Sequence, residues 1–172
     1  RPAWVGRIGL SPTATQEVGL SFHTGAYNTW KAEDLTIDDK RSLTIVALDW
    51  QWTWNRFDLV GEYAHASIDV PAETGIFAES QEGAYVQFNA RFGRGRVSRL
   101  PQSVFTAVLR LDAVDFDADA NGDSQRRLTF GCNFGPAPDS VFKLDYQRNW
   151  SEDPFQNEVK GGALLFSVAS YF

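Results

Sequence analysis

The residues with the clearest catalytic potential are two histidines, His23 and His65, each with a serine two positions away. A serine hydrolase needs an imidazole that is hydrogen-bonded to the nucleophilic hydroxyl and oriented by a third polar group. Ser21 and Ser67 are the nearby hydroxyls, but residues two apart in a strand point in parallel and not toward each other. The chain has no Gly-x-Ser-x-Gly elbow, no phosphate loop and no dinucleotide fingerprint. We therefore expect neither enzymatic activity nor a cofactor.

An acidic run at 115–123 begins like a calcium-binding loop. Its oxygen ligands have the D-x-D-x-N-G spacing: Asp117, Asp119, Asn121 and Asp123. The bidentate acid that should close such a loop at its twelfth position is missing, because that position is Leu128. The alternative is a plain turn that caps a hairpin, with Asn121 and Gly122 supplying positive φ. We favour the turn and expect no metal.

Alternation of apolar and polar residues dominates the chain, and clusters of Gly, Pro, Asn and Asp interrupt it. In 46–54 the even-numbered residues are Val, Leu and three Trp, whereas the odd-numbered residues are Ala, Asp, Gln and Thr. No stretch offers a sustained 3.6-residue stripe. The pattern predicts an all-β chain with nine strands, at about 3–11, 16–27, 42–54, 56–69, 83–93, 103–116, 125–135, 140–150 and 160–172.

One face of these predicted strands is bulky and aromatic, and the other is charged. The charged face carries Arg7, Asp49, Asp58, Glu62, Gln87, Asn89, Arg91, Arg110, Asp112, Arg127, Lys143, Asp145 and Gln147, with Asn149 beyond them. Such a face is too charged for a sandwich core and is typical of a water-filled lumen, while aromatic rings suit a membrane interface. The sequence therefore predicts an antiparallel transmembrane β-barrel whose pore these residues line. Cys132 is predicted to face lipid.

The composition is compatible with this prediction and excludes several others. A length of 172 residues allows one domain, and the single cysteine excludes a disulfide framework. A net charge of −6 argues against a nucleic-acid partner. The apolar runs are too short for a transmembrane helix, whereas several predicted strands reach the ~9–11 residues that cross a bilayer when tilted.

The predicted connections alternate in length, as they do in outer-membrane barrels. Short ones are expected at 11–15, 55–56 and 135–139, and long polar ones at 28–41, 70–82, 115–125 and 151–159. The connection 93–102 is of intermediate length but falls in the short series. The terminal Phe172 closes an alternating strand and resembles the signal that the bacterial barrel-assembly machinery recognises, although Ser170 stands where that signal prefers an aromatic residue. Bacterial barrels have even strand numbers and two periplasmic termini. Nine strands ending at Phe172 therefore lead us to expect that 1–172 is one segment, the C-terminal portion of a larger barrel.

Five segments resemble the phosphate-selective porin family of O and P type. They are 6–13 (GRIGLSPT), 25–28 (GAYN), 83–89 (GAYVQFN), 105–112 (FTAVLRLD) and 134–146 (FGPAPDSVFKLDY). The similarity spans the whole chain and corresponds to the C-terminal half of such porins. It implies a barrel of about sixteen strands, often trimeric, in the outer membrane of a Gram-negative bacterium. Outer-membrane lipid and lipopolysaccharide would surround it, and small anions or other polar solutes would pass through it.

The predicted lumen carries as many acidic as basic residues, whereas anion selectivity requires a basic excess. We therefore expect a general or weakly selective porin that allows passive diffusion. One alternative is a non-conducting outer-membrane scaffold or adhesin, and a further one is a soluble β-sandwich binding module.

Overall fold

The structure is a computed structural model that describes residues 2–26, 30–32, 35–38, 41–70 and 78–171. All regular structure in these ranges is β-strand, and they contain no helix long and apolar enough to cross a membrane. The strands are β1 (Trp4–Thr13), β2 (Gln16–Ala26), β3 (Trp30–Ala32), β4 (Leu35–Asp38), β5 (Ser42–Trp54), β6 (Phe57–Ile68), β7 (Ser80–Phe92), β8 (Val104–Asp115), β9 (Ser124–Ala137), β10 (Ser140–Glu152) and β11 (Glu158–Ser170).

Nine of these strands form one antiparallel sheet in the order β1-β2-β5-β6-β7-β8-β9-β10-β11. The all-β prediction is confirmed, and each of the nine predicted strands corresponds to one strand of this sheet. The short hairpin of β3 and β4 lies inside a segment predicted to be a loop, because strands of three and four residues carry too little alternation to detect. Among the described residues, β1 and β11 pair on one side only, so the sheet is open.

Three of the four connections at one end of the sheet are two-residue turns, whereas the fourth, 93–103, is longer than 116–123 and 153–157 at the other end, so the predicted alternation of short and long connections holds only in part. At one end, two-residue turns at Ala14–Thr15, Asn55–Arg56 and Pro138–Asp139 join β1 to β2, β5 to β6 and β9 to β10. The last of these is narrower than the predicted 135–139, because Gly135 to Ala137 remain in the strand. The fourth connection at this end, 93–103, is folded on itself, with the Gly95 amide donating to the Ser103 carbonyl at 2.8 Å.

Cross-strand pairing gives the sheet one apolar and one polar face. Leu48 pairs with Leu20 and Tyr63, while its neighbour Asp49 pairs with Gly19 and Glu62. Because directly paired side chains lie on the same face, this register extends the two faces across all nine strands.

The apolar face is the more exposed of the two. Leu111, Phe130 and Leu164 are 50%, 53% and 71% exposed, and the described residues include no buried hydrophobic side chain. On the polar face, the side chains of Asp58 and Asp112 are only 21% and 20% exposed. A water-soluble sheet shows the opposite arrangement, since it buries its apolar face in a core.

Candidate functional site

The register brings all the predicted pore-lining residues to the polar face. The pairing of Asp49 with Glu62, of Tyr85 with Asp112 and of Asp112 with Arg127 connects them from strand to strand. The complete set is Arg7, Asp49, Asp58, Glu62, Gln87, Asn89, Arg91, Arg110, Asp112, Arg127, Lys143, Asp145 and Gln147, with Asn149 beside them. Their sharing of one face is an observation, and their role in lining a pore remains a prediction.

At the β1 end of this face, one guanidinium holds two carboxylates. Arg7 Nη2 lies 2.7 Å from Asp49 Oδ1 and 3.0 Å from Glu17 Oε1. Asp49 is on β5, so Arg7 reaches it across β2. Gly19 makes this contact sterically possible, because a Cβ at that position would collide with the Asp49 carboxylate. The cluster therefore joins three strands.

A second ion pair lies close to the short-turn end of β6 and β7. Arg91 Nη2 is 3.0 Å from Asp58 Oδ1. The Thr53 hydroxyl donates to the same carboxylate oxygen at 3.0 Å. This carboxylate therefore accepts from both neighbouring strands.

The third cation, Arg110, is the most restrained. Its Nη2 and Nε lie 2.7 Å and 2.8 Å from Asp112 Oδ1. The guanidinium carbon lies 3.8 Å from the centroid of the Tyr85 ring, a distance typical of a cation–π contact. Nη1 also donates to Gln87 Oε1 at 3.4 Å, and the Gln87 amide donates to Asn89 at 2.9 Å. The guanidinium is thus held flat against the face.

Two cations of this face have no ion pair among the described residues. Arg127 donates from Nε to the neutral amide oxygen of Asn149 at 2.9 Å, and Lys143 is exposed. Asp145 lies over Gly131, where a Cβ would meet its carboxylate. A hollow of about 260 Å³ on this face is lined in part by Arg110, Arg127, Lys143 and Asp145.

The charges of the polar face are unevenly distributed along the sheet. Among the described residues of the polar face, the acidic side, which consists of β1, β2, β5 and β6, carries Glu17, Asp49, Asp58 and Glu62 against one Arg or Lys side chain, that of Arg7. The basic side, β7 to β10, carries Arg91, Arg110, Arg127 and Lys143 against Asp112 and Asp145. The balance of charge predicted for the residues of the polar face therefore conceals two regions of opposite sign.

The acidic run at 115–123 is organised as a turn. The Asp115 and Asp117 carboxylates accept hydrogen bonds from the amides of Asp117 and Asp119 at 3.1 Å and 3.3 Å. Within the described ranges, no three His, Cys, Asp or Glu side chains are grouped as metal ligands, so the structure does not assemble the calcium candidate. The positive φ angles fall at Gly122 and Asp123, one residue later than the Asn121 and Gly122 expected, because Asp123 takes the left-handed conformation next to the glycine.

The two histidines lie on opposite faces of the sheet. His23 on β2 pairs with Ile45 on the polar face, and His65 on β6 pairs with Val46 on the apolar face. In the described part of the chain, no hydrogen bond joins either imidazole to a serine. Cys132 is a free, exposed thiol on the apolar face, where it pairs with Ala107 and Leu144.

Three polar-face residues were not among those predicted, although they contact the ones that were: Glu17, Thr53 and Tyr85. The alternation within each strand could have identified them. Each is an even number of positions away, in the same strand, from a charged residue or glycine of the polar face and therefore lies on that face. The predicted assembly signal, Phe172, lies outside the described residues.

The chain matches no protein-family model, no curated protein and no solved structure.

Proposed function

We propose that this chain forms part of the wall of an outer-membrane β-barrel porin, through which small polar solutes or anions diffuse passively. One observation carries the proposal: the apolar face is exposed, while the charged face is the more buried one. Lipid is the surrounding that makes this arrangement favourable, because the apolar side chains then contact acyl chains and the charges face water.

The dimensions of the sheet support the same proposal. The nine strands of the sheet have between 10 and 14 residues, and a tilted strand needs about 9–11 to cross a bilayer. The unpaired outer edges of β1 and β11 would be costly in lipid, where no water satisfies backbone donors and acceptors. Further strands that close the barrel would remove that cost.

The charges of the polar face favour weak selectivity. Arg7, Arg91 and Arg110 are each held by a carboxylate, which reduces the attraction that they exert on a passing anion. Arg127 and Lys143 are left to attract anions, and Glu62 and Asp145 oppose them. Strong anion selectivity would need an uncompensated basic ring along the pore.

The resemblance to phosphate-selective porins supports the remaining parts of the proposal. They are a location in the outer membrane of a Gram-negative bacterium, insertion by the barrel-assembly machinery, and association as a homotrimer among lipid and lipopolysaccharide.

Two adjacent positions on β9 provide the test. The native Cys132 is on the apolar face and is exposed, whereas Asn133 is on the polar face and is less exposed. In water, the structure predicts that a charged thiol reagent reacts at least as well at Cys132 as at a cysteine replacing Asn133. In a membrane the cysteine at position 133 should react faster than Cys132, because lipid excludes the charged reagent from the apolar face.

The experiment compares the complete barrel that contains the native segment with the same barrel carrying Cys132→Ser/Asn133→Cys, both in planar bilayers. A negatively charged methanethiosulfonate should reduce the conductance of the variant and leave the native conductance unchanged. Preferential labelling of Cys132 by this reagent, or release of the chain from membranes by carbonate, would overturn the membrane location. Insertion without conductance would contradict the porin function and indicate the scaffold instead.

A further inference from the structure

A groove of about 690 Å³ crosses the apolar face between the indoles of Trp50 on β5 and Trp150 on β10. Ala84 and Ala113, which pair directly between β7 and β8, are exposed small residues on its floor. Leu111 and its neighbours line the adjacent row. The groove therefore exists because the side chains between the two indoles are short.

One cation, Arg126, lines the Trp150 end of this groove, and a second, Arg148, lies beside it on the same face. Arg126 is exposed and pairs with Trp150 across β9 and β10, while Arg148 is its diagonal neighbour, 5.9 Å from the centroid of the Trp150 ring. Neither guanidinium has an ion pair among the described residues. Two carboxylates, Glu152 and Glu158, line the same end, and Lys160 neutralises Glu158 at 2.8 Å.

The groove runs from one end region of the sheet toward the other. Trp50 lies four residues before β5 ends at Trp54, beside a short turn. Trp150 lies two residues before β10 ends at Glu152, beside the longer connection 153–157. Five strand spacings separate the two indoles, or about 24 Å. The row of Trp50 meets β10 at Arg148, and Trp150 lies two residues further along the strand. With strands tilted by about 45°, the groove therefore spans roughly 22 Å along the membrane normal, which is more than the ~15 Å of one hydrocarbon leaflet and less than the ~30 Å of the whole hydrocarbon core.

We propose that this groove binds an anionic phospholipid, whose headgroup carries a net negative charge, with one acyl chain between the two indoles and the phosphate at Arg126 and Arg148. The inference rests on the proposed function, because it requires the apolar face to contact lipid. Charge complementarity selects this occupant. Guanidinium groups bind phosphate oxygens through short, charge-assisted hydrogen bonds, and Trp150 stands where indoles favour the interface.

Fluorescence quenching tests the proposal in proteoliposomes of the full chain. A variant that keeps only Trp50 and Trp150, with the other four tryptophans changed to phenylalanine, reports on the two ends of the groove. Brominated phosphatidylglycerol, diluted in phosphatidylcholine, should quench at a lower mole fraction than brominated phosphatidylcholine does. The expected preference is about fivefold for each guanidinium.

Three further variants identify the cause of the preference. Arg126→Gln/Arg148→Gln should abolish it, whereas Arg94→Gln/Arg96→Gln removes the same charge from the segment 93–103 and should not change it. Ala113→Phe fills the groove without altering charge and should reduce quenching by both lipids.

Equal quenching by both lipids, or an unchanged preference in Arg126→Gln/Arg148→Gln, would overturn the lipid site. A change in oligomer size in that variant, with the lipid preference unchanged, would also overturn it and indicate a contact with a second copy. Failure of the proposed function looks different, because carbonate would then release the chain and neither lipid would quench.

Discussion

On the apolar face the indole of Trp50 covers Gly61, and this contact allows a quantitative prediction. Gly61 is buried and pairs with Trp50 in the register. A Cβ at position 61 would overlap the indole and lie 2.8 Å from the Tyr85 carbonyl oxygen. The indole can move, but the carbonyl belongs to the sheet backbone. Gly61→Ala therefore forces the strand itself to shift.

The size of the effect follows from two opposing contributions. Overpacking a close contact costs about 1–3 kcal/mol. Replacing glycine by alanine restricts the unfolded chain and recovers about 0.4–1 kcal/mol. We expect Gly61→Ala to lower the free energy of unfolding by about 1–2 kcal/mol.

A matched control is available at Gly161 on β11, where a Cβ would meet no atom within 4 Å. Gly161→Ala should raise the free energy of unfolding by about 0.4–1 kcal/mol. Equilibrium urea unfolding of both variants in detergent micelles, followed by circular dichroism, measures the difference. Changes of equal sign and size would refute the packing interpretation. In a Trp50→Leu background the cost of Gly61→Ala should fall but not vanish, because the Tyr85 carbonyl remains.

Three other predictions concern charges. Asp58→Asn should reduce the free energy of unfolding by about 1 kcal/mol or less, because the pair with Arg91 is partly exposed; a loss several times larger in urea unfolding would contradict this. Hydrogen bonds from the side chain and amide of Asn157 and from the amide of Phe155 hold the Asp153 pKa below its ordinary 3.8. The stabilisation of the turn 153–157 by the Asp153 carboxylate should therefore persist as the pH falls to 3.8 and be lost below that pH, when the carboxylate becomes protonated. NMR can measure this pKa, and a value at or above 3.8 would contradict the hydrogen-bonded turn. Arg127→Glu/Lys143→Glu should make the channel more selective for cations. In a tenfold salt gradient across a planar bilayer, we expect the reversal potential to shift by roughly 20 mV toward the cation equilibrium potential, whereas a perfectly selective channel reaches about 59 mV. Arg94→Glu/Arg96→Glu is the control for net charge, and an equal shift in it would show that the polar face does not set selectivity.

The nine main strands were predictable because alternation is a local property. The predicted range 42–54 coincides with β5, although its alternation changes phase between Ile45 and Val46. β7 begins at Ser80 and not at the predicted 83, because its first residues are polar on both faces. Parity also assigned the charged residues to one face. It could not identify their partners, since Arg7 and Asp49 are 42 residues apart and only the register of three strands brings them together.

The cluster around Arg7 has a consequence for how the edge strand finds its alignment. Both faces of β1 expose apolar side chains, with Val5 73% and Ile8 69% exposed on opposite sides. Apolar burial therefore discriminates poorly between correct pairing and a slip of one residue. Such a slip would turn Arg7 to the other face and leave Glu17 and Asp49 without their common cation. The ion cluster thus stabilises the observed register of β1 relative to a slip of one residue, because only the observed register places Arg7 on the same face as both carboxylates.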